Sequence, residues 1–146
     1  MAALYLSLGT NLGDRRENLD RALSLIAREV GTVVSASDRI ETEPWGFESR
    51  NSFMNMAVKV ETELSPIEAL HATQAIEREL GRSEKTVNGQ YRDRLIDIDL
   101  LMYLSGADAV PVSLNTAELT LPHPLMRQRE FVMKPLLQIA PEFVNP

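Results

Sequence analysis

The stretch YRDRLIDIDLL, residues 91–101, contains the strand around which the chain is expected to fold. From Leu95 onward it is rich in isoleucine and leucine, which is typical of a buried strand. Two carboxylates, Asp97 and Asp99, lie within this apolar run. In a strand, residues two positions apart point to the same face and lie roughly 7 Å apart. Two such carboxylates in apolar surroundings repel each other unless a cation lies between them.

A divalent metal ion is the expected cation, with Arg94 binding an anion beside it. The chain has no cysteine, so the ligands would be oxygen atoms, which favours magnesium over zinc. Magnesium commonly bridges phosphate oxygens, and the basic residues Arg82, Lys85 and Arg92 also precede the pair, so the pattern indicates nucleotide phosphates. The alternative is a structural strand whose carboxylates bond to neighbouring backbone or basic side chains.

Length and composition predict a single domain over residues 1–146 with its own hydrophobic core. The formal net charge of -6 argues against broad attraction to nucleic acid or anionic lipid. The absence of cysteine excludes disulfides, zinc-thiolate sites and thiol catalysis. No apolar run is long enough to span a bilayer, and the first residues lack the features of a signal peptide, so a cytoplasmic location is expected.

The N-terminal part predicts a strand over residues 2–8, a loop over 9–14, a helix and a second strand over 32–42 near a sheet edge. Asp14 is expected to cap the helix, and Gly31 to end it. The glycine-bearing loop before the helix has two interpretations. It either binds phosphate at the helix N-terminus or is simply a tight turn.

Residues 53–62 alternate in a way that predicts a third strand with two different faces. Asn55 lies mid-strand, where its amide either bonds to neighbouring backbone or offers a donor and an acceptor to a heterocycle. Phe53 lies on the same face and would stack on that ring. The preceding loop, residues 43–51, carries Trp45 and Phe47, which either fill the edge of the core or cover a flat ligand.

Ser65, with proline after it and Glu68 three positions on, predicts a second helix that runs to residue 80. Gln74 and Glu77 share one face of this helix, which on spacing alone is expected to be solvated. The polar stretch over residues 81–94 is long for a connection in a compact domain and is typical of a lid or binding loop.

The C-terminal part predicts a short edge strand over residues 110–112. His123 lies between two prolines that restrict its backbone, so it is either structural or a donor to a ligand. A last helix is expected from about Leu125, with Pro135 breaking or restarting it.

The ordered motifs resemble those of the 6-hydroxymethyl-7,8-dihydropterin pyrophosphokinase (HPPK) family of folate biosynthesis. They cover residues 8–14, 41–46, 53–55, 74–77, 81–82, 94–101, 121–124 and 129–131. The resemblance implies an α+β fold, a ferredoxin-like αβ sandwich with helices packed on the faces of an antiparallel sheet. It also implies transfer of the terminal diphosphate of ATP to the pterin hydroxymethyl group, with release of AMP.

The resemblance further implies roles for individual residues. The catalytic set is Asp97, Asp99, Arg94 and Arg82, and the two aspartates would hold two magnesium ions. ATP would be contacted by Gln74, Glu77, Arg94, Ile98, Thr120, His123 and Arg129. The pterin would be held by Thr42, Glu43, Trp45, Phe53, Asn55 and Phe131. The expected partners are therefore small molecules, with no nucleic acid and no membrane, and the expected state is a monomer.

Two departures from the family pattern lie before the aspartate pair. Glu84 stands where many members have a second basic residue, which Lys85 is placed to replace, and residues 91–93 stand where many have Gly-Pro. These departures motivate an alternative, a ferredoxin-like module that binds small molecules without turnover. A pterin aldolase-type enzyme is a weaker alternative because it leaves Asp97 and Asp99 unexplained.

Overall fold

The computed structural model describes residues 1–42, 52–81 and 95–144. In these ranges the strands are β1 (Ala2–Thr10), β2 (Thr32–Ala36), β3 (Ile40–Thr42), β4 (Phe53–Thr62), β5 (Asp97–Ser105), β6 (Val110–Pro111), β7 (Leu114–Asn115) and β8 (Thr120–Leu121). The α-helices are α1 (Arg15–Glu29), α2 (Pro66–Glu79) and α3 (Glu130–Ile139), with short 3-10 helices at Met126–Gln128 and Pro141–Val144.

The main sheet is antiparallel and has the strand order β2-β4-β1-β5-β6. The short strand β3 pairs with β4 as well, and β7 and β8 form a separate hairpin. β6 lies at the edge of the sheet, as the proline in it predicted.

Each face of the sheet is covered by helices. On one face, Leu6 and Leu8 of β1 pack in a core with residues of α1 and α2. On the other, Tyr5 of the same strand packs with Val132 and Leu136 of α3. Alternate β1 side chains therefore enter opposite cores, which explains why nearly the whole strand is buried. The expected α+β sandwich is confirmed.

The predicted starts of α1 and α2 are confirmed by their caps. The Asp14 side chain accepts a hydrogen bond from Glu17 N at 3.0 Å. At α2, Glu68 N donates to Ser65 Oγ and Ser65 N donates to Glu68 Oε1, which completes the capping box. No helix within the described ranges combines the length and apolar character needed to cross a membrane.

The expected strand over residues 32–42 is in fact two strands, β2 and β3, separated at Ser37. Ser37 N donates to the Ala57 carbonyl at 2.9 Å, while Ala57 N donates to the Ser37 hydroxyl oxygen at 2.9 Å. The serine side chain thus supplies the acceptor that a regular strand would supply from its backbone. The serine hydroxyl thereby keeps the Ala57 N–H paired where the regular pairing with β4 is interrupted.

The expectation that Pro135 breaks the last helix is wrong. Pro135 is buried inside α3, which begins at Glu130 rather than near Leu125. Proline removes one hydrogen bond from a helix interior, but Val132 and Leu136 on the same side bury their side chains in the second core. Packing against the sheet therefore outweighs the local helix-breaking tendency.

Candidate active site

Asp97 and Asp99 begin β5 and are both half-buried. They pair with Gly9 and Ser7 of β1, whereas Ile98 between them is buried in the core on the opposite face. Because alternate residues of a strand share a face, both carboxylates lie on the face that also carries α3. The predicted strand and shared face are confirmed, while the metal-binding role of the pair stays a prediction.

Asn55, Gly9 and Asp97 form one row across three neighbouring strands. Gly9 pairs with Asn55 of β4 on one side and with Asp97 of β5 on the other. Paired residues of antiparallel strands direct their side chains to the same face. The amide of Asn55, which is only 3% exposed, therefore lies on the same face as the carboxylates, two strand spacings or about 10 Å away at the backbone.

Gly9 is a site residue that sequence reasoning missed, since it was assigned to a loop and lies inside β1. A Cβ atom on residue 9 would lie 2.7 Å from Asn55 Oδ1 and 3.6 Å from Phe53 Cδ1. The absence of a side chain thus makes room for the Asn55 amide to lie over β1. Of the two interpretations of the loop, the tight turn is supported at Gly13, which has φ +65.

The pterin residues expected around Asn55 are only partly described. Phe53 is half-buried at the start of β4 and pairs with Thr42, whose backbone ends β3. Glu43 and Trp45, like Arg82 and Arg94 of the expected phosphate-binding set, lie outside the described residues.

Glu77 and Gln74 share the predicted helix face but differ in environment. Gln74 is exposed, as expected for a solvated face, but that interpretation is wrong for Glu77, which is 4% exposed. The Glu77 carboxylate accepts a hydrogen bond from Ile98 N at 2.8 Å. α2 packs beside β5, so Glu77 supports the backbone between the two aspartates.

His123 is held to β5 through its backbone, since His123 N donates to the Leu101 carbonyl at 2.8 Å. Its Nδ1 accepts a hydrogen bond from Leu125 N at 3.2 Å, so the neutral ring carries its proton on Nε2. Burial lowers the pKa of His123, and the charge of Arg129 lowers it further. The charge of Asp97 raises this pKa, but by less. The structure therefore brings these three predicted site residues within electrostatic reach of one another. Thr120 is half-buried in β8, in the chain segment that leads to His123.

Arg129 and Phe131 lie at the start of α3. The Arg129 guanidinium lies over the Phe131 ring, with 5.7 Å between its central carbon and the ring centroid. Phe131 is half-buried and packs against the second core. An arginine held over an aromatic ring keeps its planar donor group oriented.

The two carboxylates fit magnesium by their chemistry. Within residues 1–42, 52–81 and 95–144, no group of three or more histidine or acidic side chains is arranged to hold a metal ion. Magnesium does not require such a cage, because it keeps several waters and is commonly bound by one or two carboxylates together with substrate phosphates.

Fold and site together define an αβ sandwich protein with an amide and a carboxylate pair on one sheet face and a histidine within electrostatic reach of that pair. The family model described as 7,8-dihydro-6-hydroxymethylpterin-pyrophosphokinase (HPPK) matches residues 5–141. The chain belongs to this family.

Curated relatives agree with this assignment. The chain is 50% identical over 141 residues to 2-amino-4-hydroxy-6-hydroxymethyldihydropteridine pyrophosphokinase of Porphyromonas gingivalis, covering 97% of this chain and 92% of that protein. It is 38% identical over 137 residues to the Bacillus subtilis protein of the same name, covering 93% and 77%. It is 40% identical to folic acid synthesis protein fol1 of Schizosaccharomyces pombe, covering 97% of this chain and 18% of that longer protein.

A solved structure described as HPPK-DHPS in complex with substrates shares the fold. It matches with a TM-score of 0.69 at 16% identity, over 97% of this chain and 40% of that chain.

Proposed function

We propose that this chain transfers diphosphate from ATP to 6-hydroxymethyl-7,8-dihydropterin and releases AMP, a step of folate biosynthesis. Membership of the family and the names of the curated relatives support the activity. The row Asn55–Gly9–Asp97 is the observation that carries the proposal, because an amide and a carboxylate on one sheet face support a heterocycle site next to a phosphate site.

The pterin binds beside the Asn55 amide, on the sheet face that Asn55 shares with Asp97. Asn55 offers one donor and one acceptor to the amide edge of the ring, and Phe53 and Phe131 stack on its faces. Thr42, Glu43 and Trp45 complete this subsite.

The phosphates bind beside Asp97 and Asp99. These carboxylates would hold two magnesium ions, which supply positive charge to the phosphate oxygens and lower the barrier to displacement. Arg82 and Arg94 add fixed positive charge at the same phosphates.

The nucleotide binds on the His123 side of the carboxylates. The Nε2–H of His123 is a donor to the ATP phosphates, because its Nδ1 is occupied by Leu125 N. Arg129, held over Phe131, donates beside it. The remaining contacts to ATP come from Gln74, Glu77, Ile98 and Thr120.

The reaction requires orientation more than a covalent nucleophile. The pterin hydroxyl oxygen forms a bond to the β-phosphorus of ATP, and the bond from that phosphorus to the AMP oxygen breaks. AMP leaves with that oxygen, and the hydroxyl proton passes to solvent. Asn55 and the two phenylalanines orient the acceptor, while the aspartates and arginines align the phosphates. Such alignment supplies much of the rate in phosphoryl transfer.

The deciding experiment incubates the protein with ATP, MgCl2 and hydroxymethyl-dihydropterin and measures AMP and the pterin diphosphate by chromatography. We expect equimolar AMP and product, and none when EDTA is present or the pterin is omitted. Binding of both substrates without AMP release would instead identify the chain as the binding module that Glu84 suggests.

We further propose that residues 1–146 act as one catalytic domain, as a monomer, in the cytoplasm. The continuous sheet and its two helical layers support a single domain. Light scattering after size exclusion should give a mass near 16.4 kDa, whereas twice that mass would overturn the monomer.

A further inference from the structure

Arg15, the first residue of α1, makes one contact with β3 and one with the residue just before β4. Its Nη1 donates to the Ser52 carbonyl at 3.0 Å, and its Nη2 contacts Glu41 Oε1 at 2.5 Å. The Arg15 side chain is 28% exposed, while that of Glu41 is 58% exposed. One guanidinium therefore joins Glu41 of β3 to Ser52, the residue before β4.

Both contacts fall beside residues of the expected pterin site. Glu41 immediately precedes Thr42, and Ser52 immediately precedes Phe53. Thr42 and Phe53 are partners at the end of the β3–β4 pairing. Arg15 thus links the end of β3 to the residue that leads into β4, next to Thr42 and Phe53.

The other end of β3 is held by different residues. Arg39 donates to the Arg16 carbonyl at 3.1 Å and pairs with Asp20 of α1. Asp38 N donates to Gln138 Oε1 of α3 at 2.8 Å. Since β3 has only three residues, few ladder bonds hold its Thr42 end, and Arg15 adds two contacts there.

We propose that Arg15 is a positioning residue for pterin binding, acting through the placement of Thr42 and Phe53 rather than by touching substrate. This inference rests on the proposed function. A planar guanidinium can donate to a carbonyl and a carboxylate at once, whereas a lysine ammonium lacks this fork geometry. An ion pair with so exposed a partner adds little to overall stability, so loss of Arg15 should disturb the site more than the fold.

The neighbouring Arg16 provides a matched control. It has the same charge and lies in the same first turn of α1, but its side chain is exposed. Arg15→Ala and Arg16→Ala therefore remove equal charge, and only the first removes the contacts to Ser52 and Glu41.

The test measures KM for the pterin and for ATP in both variants, with thermal unfolding alongside. For Arg15→Ala we expect pterin KM to rise about tenfold or more, because small misplacements of orienting groups have large effects on binding and rate. ATP KM should stay within about twofold of the original, and Arg16→Ala should leave both unchanged. In Arg15→Lys, pterin KM should rise less than in Arg15→Ala, because lysine keeps the charge but lacks the two planar donor groups.

A second variant, Glu41→Ala, removes the contact between Arg15 and the Glu41 carboxylate and leaves the hydrogen bond from Arg15 to Ser52. It should raise pterin KM less than Arg15→Ala does, and the double variant should match Arg15→Ala alone. Equal pterin KM in Arg15→Ala and Arg16→Ala, or an equal rise for pterin and ATP with a lower Tm, would overturn the inference.

Failure of the proposed function has a different signature, namely no AMP from the unmodified protein. In that case, calorimetric pterin binding by the same variants still tests Arg15. Weaker binding by Arg15→Ala than by Arg16→Ala supports the inference, and equal binding rejects it.

Discussion

The Oδ1 atom of Asn55 lies 2.7 Å from the position that a Cβ atom on residue 9 would occupy. Real Cβ atoms do not approach an oxygen this closely, and the Asn55 side chain is buried, so it has little room to move aside. Glycine at this position of β1 is therefore part of how the amide is oriented.

Gly9→Ala should rotate the Asn55 amide away from the pterin position. We expect stability to fall by about 1–3 kcal/mol through overpacking and pterin KM to rise about tenfold or more. Denaturant unfolding and steady-state kinetics measure the two effects. In an Asn55→Ala background the same substitution should cost much less stability, because the clashing atom is gone. An unchanged cost in that background would show that the contact is not responsible.

Asp97→Asn and Asp99→Asn should each lower turnover by at least about a hundredfold, because each removes charge from the phosphate site. Circular dichroism should show an unchanged fold, since both side chains are only half-buried. Asp108→Asn, in the exposed turn after β5, is the control and should keep normal activity. Near-normal turnover in either site variant would mean that the metal assignment is wrong.

Glu77→Ala should destabilise the protein by about 1–3 kcal/mol, because it leaves the buried Ile98 N–H without its acceptor. Gln74→Ala, one turn away on the same helix, should change the free energy of unfolding by less than about 0.5 kcal/mol. Urea unfolding of both variants makes the comparison. Equal destabilisation would argue that Glu77 acts only through general packing of α2.

His123 should make stability depend on pH. Burial and then Arg129 lower its pKa below 6.5, so between the lowered value and 6.5 the unfolded chain binds more protons than the folded chain. Stability therefore increases with pH through this window and is lost as the pH falls below 6.5.

Thermal unfolding of the metal-free protein at several pH values checks this dependence on His123. The slope between pH 7.5 and about pH 5 should be smaller in His123→Gln, which cannot be protonated there. An identical slope in the variant would assign the pH dependence to other groups.

Several elements were predictable because their signals are local. The alternation in β4 separates Met54 and Met56 in one core from Ala57 in the other, as its sequence indicated. The capping box at Ser65 specifies the start of α2 through contacts within four residues. The spacing of Asp97 and Asp99 places both on one face of any strand that contains them.

Other features depend on partners that are far away in sequence. Ser37 interrupts an edge strand only because Ala57 lies opposite it, and Pro135 is tolerated because α3 packs on the sheet. Glu77 was expected to be solvated, since periodicity cannot show that a backbone N–H of β5 would lie beside it.

The sequence by itself determined the family, the alternation of the strands, the helix starts and the residue types of the site. These features follow from side-chain chemistry and from the spacing of residues along the chain, and both are the same in any local structure. Only the tertiary structure decided that Gly9 makes room for Asn55, that Glu77 supports Ile98 and that Arg15 joins Glu41 to Ser52. Those relationships depend on sheet register and helix docking, which are set by the burial of many side chains together rather than by any one stretch.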